Sequence, residues 1–240
     1  MTTAQPLLLA LEASAGQASA AIAYGDRVLA RAEKEAAHGH AAWMVTLAEE
    51  VLAKAGQSPT DLDAVIGGTG PGSFTGIRVA LAAAKGFGLT QGLSPIGISS
   101  LAGLAAGLPR QEKPILSLID SRRKSYFFQV FDADLTPLSA IVDGSIEDIT
   151  ALILSDQNLM QDGLMITGHD RHNIAATLMA QDAFLPLASD LILAQTDGGD
   201  QPSAEGLIRA YRTAPKLAAS PEPLYLAPPI LGPSTPAGDR

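Results

Sequence analysis

The stretch Gly67-Gly-Thr-Gly-Pro-Gly-Ser-Phe-Thr-Gly-Ile-Arg78 decides the fold, because it joins a short apolar run to a helix made of small residues. Residues 63–67 before it predict a buried strand. Ser73 stands where a helix N-cap belongs, since its hydroxyl can accept from amides of the first turn. Apolar residues then recur at spacings of three and four, which indicates one helical face: Phe74, Ile77, Leu81, Ala84 and Gly88.

A glycine-rich loop between a strand and a helix can bind phosphate, because free amides at a helix N-terminus attract anions. A Walker A loop requires Lys after its last Gly, whereas Ser73 follows Gly72 here, and no register of the glycines gives Gly-x-Gly-x-x-Gly. The pattern therefore favours a tight turn that packs a helix on a sheet over a phosphate cradle. Glycine tolerates positive φ and proline fixes φ, so the turn is predicted at Gly68, Gly70, Pro71 and Gly72.

The composition excludes several classes of function. The absence of cysteine excludes disulfides, thiolate metal sites and cysteine nucleophiles. The net charge of -9 has the wrong sign for a protein that binds nucleic acid by itself. The apolar run Leu7 to Leu11 is too short for a secretory signal and follows no basic residue. No apolar run reaches the ~18 residues that span a membrane, so we expect a cytoplasmic protein.

The chain contains a hidden repeat. A first copy consists of strand 7–11, strand 18–23, a turn at 24–26, strand 27–32, helix 40–55, strand 64–67 and a helix from Phe74. A strand at 95–98 and a short helix follow it. From Pro114 the pattern returns, with strands at 115–119, 125–131 and 135–142, a helix at 146–154, a strand at 164–167 and helices at 171–181 and after Ser203. Two such copies predict an α/β protein with the duplicated ribonuclease H-like (ASKHA) fold of actin, Hsp70 and sugar kinases. We expect halves at 1–110 and 111–220 and a mobile Pro-rich tail at 221–240, in which Leu224, Tyr225 and Leu226 are the exception that can dock as an edge strand.

An acidic residue ends the first strand of each copy, Glu12 and Asp120. In this fold such acids often hold Mg²⁺ and nucleotide phosphates. The loops that follow lack glycine-lined cradles, so we prefer the interpretation that both acids cap nearby turn amides, and that any nucleotide or metal role is vestigial. The histidine pairs 38/40 and 169/172 lack the His-x-x-x-His spacing of zinc hydrolases. We expect no catalytic residue, no metal and no cofactor.

The segment GGTGPGSFTGIRVALAAAKGFG from Gly67 closely resembles the signature of the TsaB (YeaZ) family, bacterial proteins of the pathway that makes N6-threonylcarbamoyladenosine at position 37 of tRNA. Similar segments are LLLALEAS, SPTDLDAV, SPIGISSLAGLA and IDSRRKSYF. Asp is usual in the family at the position of Glu12. The resemblance implies the same fold and marks the signature loop as Gly68, Gly70, Pro71, Gly72, Ser73, Thr75 and Gly76.

The resemblance also implies a function without catalysis. TsaB proteins bind and activate the TsaD-type threonylcarbamoyl transferase, while a TsaE-type ATPase and a TsaC-type synthase supply the other steps. They contact tRNA only indirectly and form homodimers when alone. Since family members pair through the two helices of the first half, we expect the interface at His40, Trp43, Met44, Leu47, Phe74, Ile77, Arg78, Ala80, Leu81 and Ala84.

Two points of that interface can be tested. Trp43 and Met44 lie about 100° apart on a helix, so at least one should be available to a partner. Ala80→Trp or Ala84→Glu should abolish pairing while the monomer stays folded. Two other hypotheses remain open: an ATP-dependent kinase or metallopeptidase of the same superfold, and a homodimer with no activity of its own. Tight binding of ATP and Mg²⁺ that Glu12→Ala or Asp120→Ala abolishes would favour an enzyme.

Overall fold

The computed structural model describes residues 5–35, 40–89, 91–156, 159, 163–181, 191–193 and 200–226, with only the backbone for 40–42 and 191–193. The strands of the first half are β1 (Leu7–Glu12), β2 (Gln17–Tyr24), β3 (Arg27–Glu35), β4 (Ala64–Gly68) and β5 (Ile96–Ile98). Its helices are α1 (His40–Ala55), α2 (Phe74–Leu89) and α3 (Ser100–Ala106). The predicted bounds of α1 and the predicted start of α2 are confirmed.

The second half repeats this order. Its strands are β6 (Ile115–Asp120), β7 (Tyr126–Phe131), β8 (Val142–Gly144), β9 (Leu164–Gly168) and β10 (Leu191–Leu193). Helices α4 (Ile146–Ser155) and α5 (Arg171–Met179) lie in this half, and α6 (Ala204–Thr213) comes last.

The two sheets have the same topology. The strand order is β3-β2-β1-β4-β5 in one and β8-β7-β6-β9-β10 in the other. In each sheet the first three strands are antiparallel and the last two run parallel to the first strand. The described residues therefore form a duplicated ribonuclease H-like (ASKHA) fold, as the repeat predicts.

Strand β1 is buried on both faces, and its alternate side chains enter two different cores. Leu7, Leu9 and Leu11 pack in the core beneath α1 and α2. Leu8 and Ala10 point the other way, into a core that also contains residues of β6, β7 and α6. Burial on both faces explains why the sequence of this strand is a continuous apolar run.

The last helix packs on the first half of the chain. We predicted that α6 completes the second half, but it packs mainly on α3, β1 and β2 of the first half. Ser203 caps this helix by accepting from the amide of Gly206. Its buried residues, among them Leu207 and Ile208, need an apolar partner, and the inner face of the first sheet supplies it.

The predictions for the strands of the second half and for the tail differ in part from the structure. Only Val142 of the predicted strand at 135–142 lies in a strand (β8), because Leu135 adopts a φ of 60° in a turn closed by hydrogen bonds to Asp132. Strand β10 was not predicted. The predicted exception in the tail does dock on the first half, where the amide of Leu224 donates to the Thr69 carbonyl over 2.8 Å, but residues 221–226 form no strand. The remaining tail, 227–240, lies outside the described residues.

Candidate functional site

The signature loop is a turn whose amides are largely bonded within the protein. The amide of Gly70 donates to the Ser100 hydroxyl over 3.2 Å, and that of Ser73 donates to the Ser14 carbonyl over 2.6 Å. Ser73 caps α2 as predicted, because its hydroxyl accepts from the Gly76 amide over 3.3 Å. These bonds occupy donors that a phosphate would need, so the geometry favours the packing turn.

The glycines of the loop allow it to lie against the turn that follows β1. A Cβ on Gly72, whose φ is 147°, would lie 2.1 Å from the Ser14 carbonyl oxygen. A Cβ on Gly76 would lie 1.8 Å from the carbonyl oxygen of Ala13. Because backbone atoms cannot be displaced cheaply at such distances, the signature glycines hold the start of α2 on the end of β1.

Glu12 is fully buried at the centre of this packing. Its carboxylate accepts from the Ser14 amide over 2.6 Å and from the Ser100 hydroxyl over 2.7 Å. Burial raises the pKa of Glu12, and the hydrogen bonds from Ser100 and Ser14 oppose that rise only in part. The carboxylate therefore ties β1, the signature loop and α3 together and is not offered to a ligand in the cleft.

Asp120 occupies the matching position in the second half and caps its turn in the same way, accepting from the Arg122 amide over 2.7 Å. It lines a cleft of about 90 Å³ between the halves, and its carboxylate lies 3.8 Å from Nε2 of His169. Ligand pockets in proteins usually exceed about 300 Å³, so this cleft is small for a nucleotide. Both acids act as the turn caps that we preferred.

Most of the predicted interface side chains are buried in the chain's own core. We correct the prediction for six of the ten, which the structure leaves 0–5% exposed: Met44, Leu47, Ile77, Ala80, Leu81 and Ala84. They pack on the first sheet or the signature loop, because the periodic apolar face of each helix covers this protein's own strands. The side chain of His40 lies outside the described residues.

Three predicted residues remain at the surface of α1 and α2. Trp43 is 36% exposed beside the buried Met44, which confirms that one of this pair is accessible, and the Lys34 ammonium lies 3.1 Å from its ring centroid. Arg78 is exposed and Phe74 is half-buried. The outer surface of α2 also presents two small exposed residues, Ala82 and Gly86, which the sequence did not single out.

The docked tail contributes to this surface. The ring of Tyr225 stacks on Phe74 with centroids 5.1 Å apart, and its hydroxyl accepts from Nε of Arg78 over 2.7 Å. The Arg78 guanidinium lies 3.7 Å from the centroid of the Phe74 ring, so the three side chains form one cluster. Sequence reasoning predicted that residues 224–226 dock but not that Tyr225 meets Phe74 and Arg78, since 147 residues separate Arg78 from Tyr225. The aromatic residue in the otherwise Pro-rich tail was the available signal.

Neither metal ligation nor a membrane span is evident in the described part of the chain. There, no three acidic or histidine side chains form a group that could hold a metal ion. Within the same residues, no helix has both the length and the apolar character needed to cross a bilayer.

Comparison with known proteins identifies the family. The model of the family described as "TsaD: tRNA N6-adenosine threonylcarbamoyltransferase" matches residues 32–185. The chain is 33% identical over 97 residues to the tRNA threonylcarbamoyladenosine biosynthesis protein TsaB of Escherichia coli, covering 40% of this chain and 42% of that protein. It is 32% identical over 124 residues to the TsaB protein of Haemophilus influenzae, covering 50% and 52%. These alignments therefore span about half the length of the curated relatives.

The fold is also that of a solved relative. YeaZ from Pseudomonas aeruginosa superposes with a TM-score of 0.74 over 92% of this chain and 100% of that one, at 21% sequence identity. The chain therefore belongs to the TsaD family and is similar in sequence and fold to TsaB (YeaZ) proteins.

Proposed function

We propose that this chain is a non-catalytic subunit of N6-threonylcarbamoyladenosine synthesis that binds and activates a TsaD-type transferase through the outer surface of α1 and α2. The observation that carries the proposal is this surface itself. Trp43 is accessible, and the small exposed residues Ala82 and Gly86 allow a partner helix to approach α2 closely. Aromatic residues at the surface are favoured anchors of interfaces.

The pairing surface is the outer stripe of each helix, opposite the buried face. On α2 this stripe contains Arg78, Ala82 and Gly86, and the docked Tyr225 borders it at one end. On α1 it contains Trp43 and Glu50. When the partner is absent, the same stripe closes a homodimer, so dimerisation and binding of the transferase compete.

The proposal assigns no chemistry to this chain. Glu12 is buried and hydrogen-bonded, and the cleft beside Asp120 is about 90 Å³. Both features argue against the alternative of an ATP-dependent kinase or metallopeptidase. The net charge of -9 fits a subunit that meets tRNA only through its partners. A TsaE-type ATPase acts on the assembled pair.

The test is reconstitution of tRNA modification from purified TsaD-type, TsaE-type and TsaC-type proteins with and without this chain, with the modified nucleoside measured by mass spectrometry. Omission of the chain should reduce the product to background. Product formed at the same rate without it would refute the proposal. Tight ATP binding by the chain alone would favour the kinase alternative.

The surface is tested by Gly86→Arg. A Cβ at Gly86 meets no atom within 4 Å, so the monomer should fold normally, while the long side chain should prevent close helix packing. Ala151→Arg on α4 is the matched control, because it adds the same side chain at an exposed position of the second half. We expect only Gly86→Arg to lose co-purification with the transferase. Equal yields of both complexes would place the interface elsewhere.

A further inference from the structure

A second cavity lies between the halves, away from the signature loop. It has a volume of about 320 Å³, within the range of small-molecule sites, and it is open to solvent between the end of α3, the start of β6 and the last turn of α6. One wall is apolar and includes Leu108, Ile115 and Leu135, each at most 6% exposed. The polar side chains Gln111 and Arg212 also line the cavity.

These two side chains have hydrogen-bonding capacity that the described residues do not use. The buried Nη2 of Arg212 has no hydrogen-bond partner there, and neither the amide nitrogen nor the amide oxygen of Gln111 has one. Burial lowers the pKa of the Arg212 guanidinium, with Asp26 opposing the shift. Unsatisfied buried polar atoms are costly, and these atoms have almost no surface open to the cavity, so a ligand gains affinity from them when the Gln111 and Arg212 side chains turn into the cavity.

The other arginines that line the cavity are already occupied. Arg209 donates to Glu205 over 2.5 Å, and Arg110, with its side chain 92% exposed, lies 3.8 Å from Asp134. Arg212 therefore offers the guanidinium that a ligand would meet. Asp26 at the rim disfavours ligands with several negative charges, since like charges repel.

We propose that this cavity binds a small monocarboxylate that has an apolar body and carries a hydroxyl or amino group. The carboxylate pairs with the guanidinium of Arg212, whose planar fork matches two carboxylate oxygens. The Gln111 amide donates to the carboxylate and accepts from the hydroxyl or amino group, and the apolar body lies on Leu108 and Leu135. This site is separate from the pairing surface and goes beyond the proposed function.

The test is a ligand-observed NMR and calorimetric titration of the full chain with four probes at up to about 10 mM. The probes are 2-hydroxy-4-methylpentanoate, L-leucine, 4-methylpentanoate and inorganic phosphate. We expect one or both of the first two to bind, and 4-methylpentanoate to bind about tenfold more weakly because it leaves the Gln111 oxygen unpaired. The better of the first two probes identifies the ligand as a hydroxy acid or an amino acid.

Three variants locate the site. Arg212→Gln should weaken binding at least tenfold, whereas the control Arg110→Gln, which removes an exposed arginine at the rim, should stay within about twofold of the wild type. Ala106→Leu, which fills the cavity from α3, should also abolish binding. Circular dichroism checks that each variant is folded. Absence of binding by the wild type, equal binding of phosphate, or unchanged binding by both Arg212→Gln and Ala106→Leu would overturn the proposal.

Discussion

Two glycines of α2 should respond in opposite directions to the same substitution. Gly76 lies in the first turn, where an added Cβ would lie 1.8 Å from the Ala13 carbonyl oxygen. Gly86 lies in the last turn, is exposed, and offers a Cβ free space within 4 Å. The glycines share one helix, and neither has the positive φ that would strain alanine. The comparison therefore isolates the effect of close packing.

The structure sets the size of each effect. Ordinary contact begins near 3.4 Å, so Gly76→Ala must move α2 away from the turn after β1 by about 1.6 Å. This movement strains the neighbouring hydrogen bond between Ser73 and Ser14. Overpacking of this kind costs about 1–3 kcal/mol and occasionally more; the upper end, about 3 kcal/mol, applies here because the atom met is a backbone oxygen, and the gain in helix propensity offsets about 1 kcal/mol. We expect Gly76→Ala to lower the free energy of unfolding by about 2 kcal/mol and Gly86→Ala to raise it by up to about 1 kcal/mol.

The assay is urea denaturation followed by the fluorescence of Trp43, the single tryptophan of the chain, which reports on the half that contains both glycines. Thermal midpoints should move by about 2–4 °C for each kcal/mol in a chain of this size. The reasoning is refuted if Gly76→Ala is as stable as the wild type, or if the two variants shift in the same direction by similar amounts.

Three more predictions follow from the buried and docked residues. Burial raises the pKa of Glu12, so the folded state keeps a proton that the unfolded state releases. The free energy of unfolding should therefore fall as pH rises from about 4.5 through the raised pKa. Glu12→Gln should flatten this pH dependence in urea denaturation, and equal slopes for variant and wild type would contradict the prediction. Ala84→Glu should unfold the monomer by circular dichroism, since it places a charge at a fully buried position; a folded variant would show that α2 can move outward. Tyr225→Ala should cost about 1–2 kcal/mol through loss of the contacts with Phe74 and Arg78, whereas an unchanged thermal midpoint would mean that the docked tail contributes no stability.

The correction at Ala84 changes how the pairing surface is probed. We expected Ala84→Glu to block a partner without harm to the monomer, but this side chain is buried in the core, where even a Cβ added on Gly67 of β4 would lie 3.4 Å from it. The exposed small residues of α2 lie on the other side of the helix, at Ala82 and Gly86. Both faces of α2 are rich in small residues, so composition alone could not distinguish them.

Much of the fold follows from the sequence alone, because local patterns carry it. Both ends of α1 were predicted, Ser73 marked the start of α2, and the repeated strand pattern predicted the duplicated topology. The glycine spacing also predicted a packing turn. Each of these features depends on residues within a few positions of one another, so periodicity and turn chemistry are sufficient to predict them.

The tertiary structure decided which partner covers each surface. α6 packs on the first half, the Glu12 carboxylate accepts from Ser100 of α3, and Tyr225 stacks on Phe74. These partners are far apart in the sequence, so local patterns could not predict the contacts. A helix pattern shows that one face must be buried but does not show what buries it. That choice depends on the total apolar area and the hydrogen bonds that distant segments can satisfy together, and these are fixed only when the whole chain is packed.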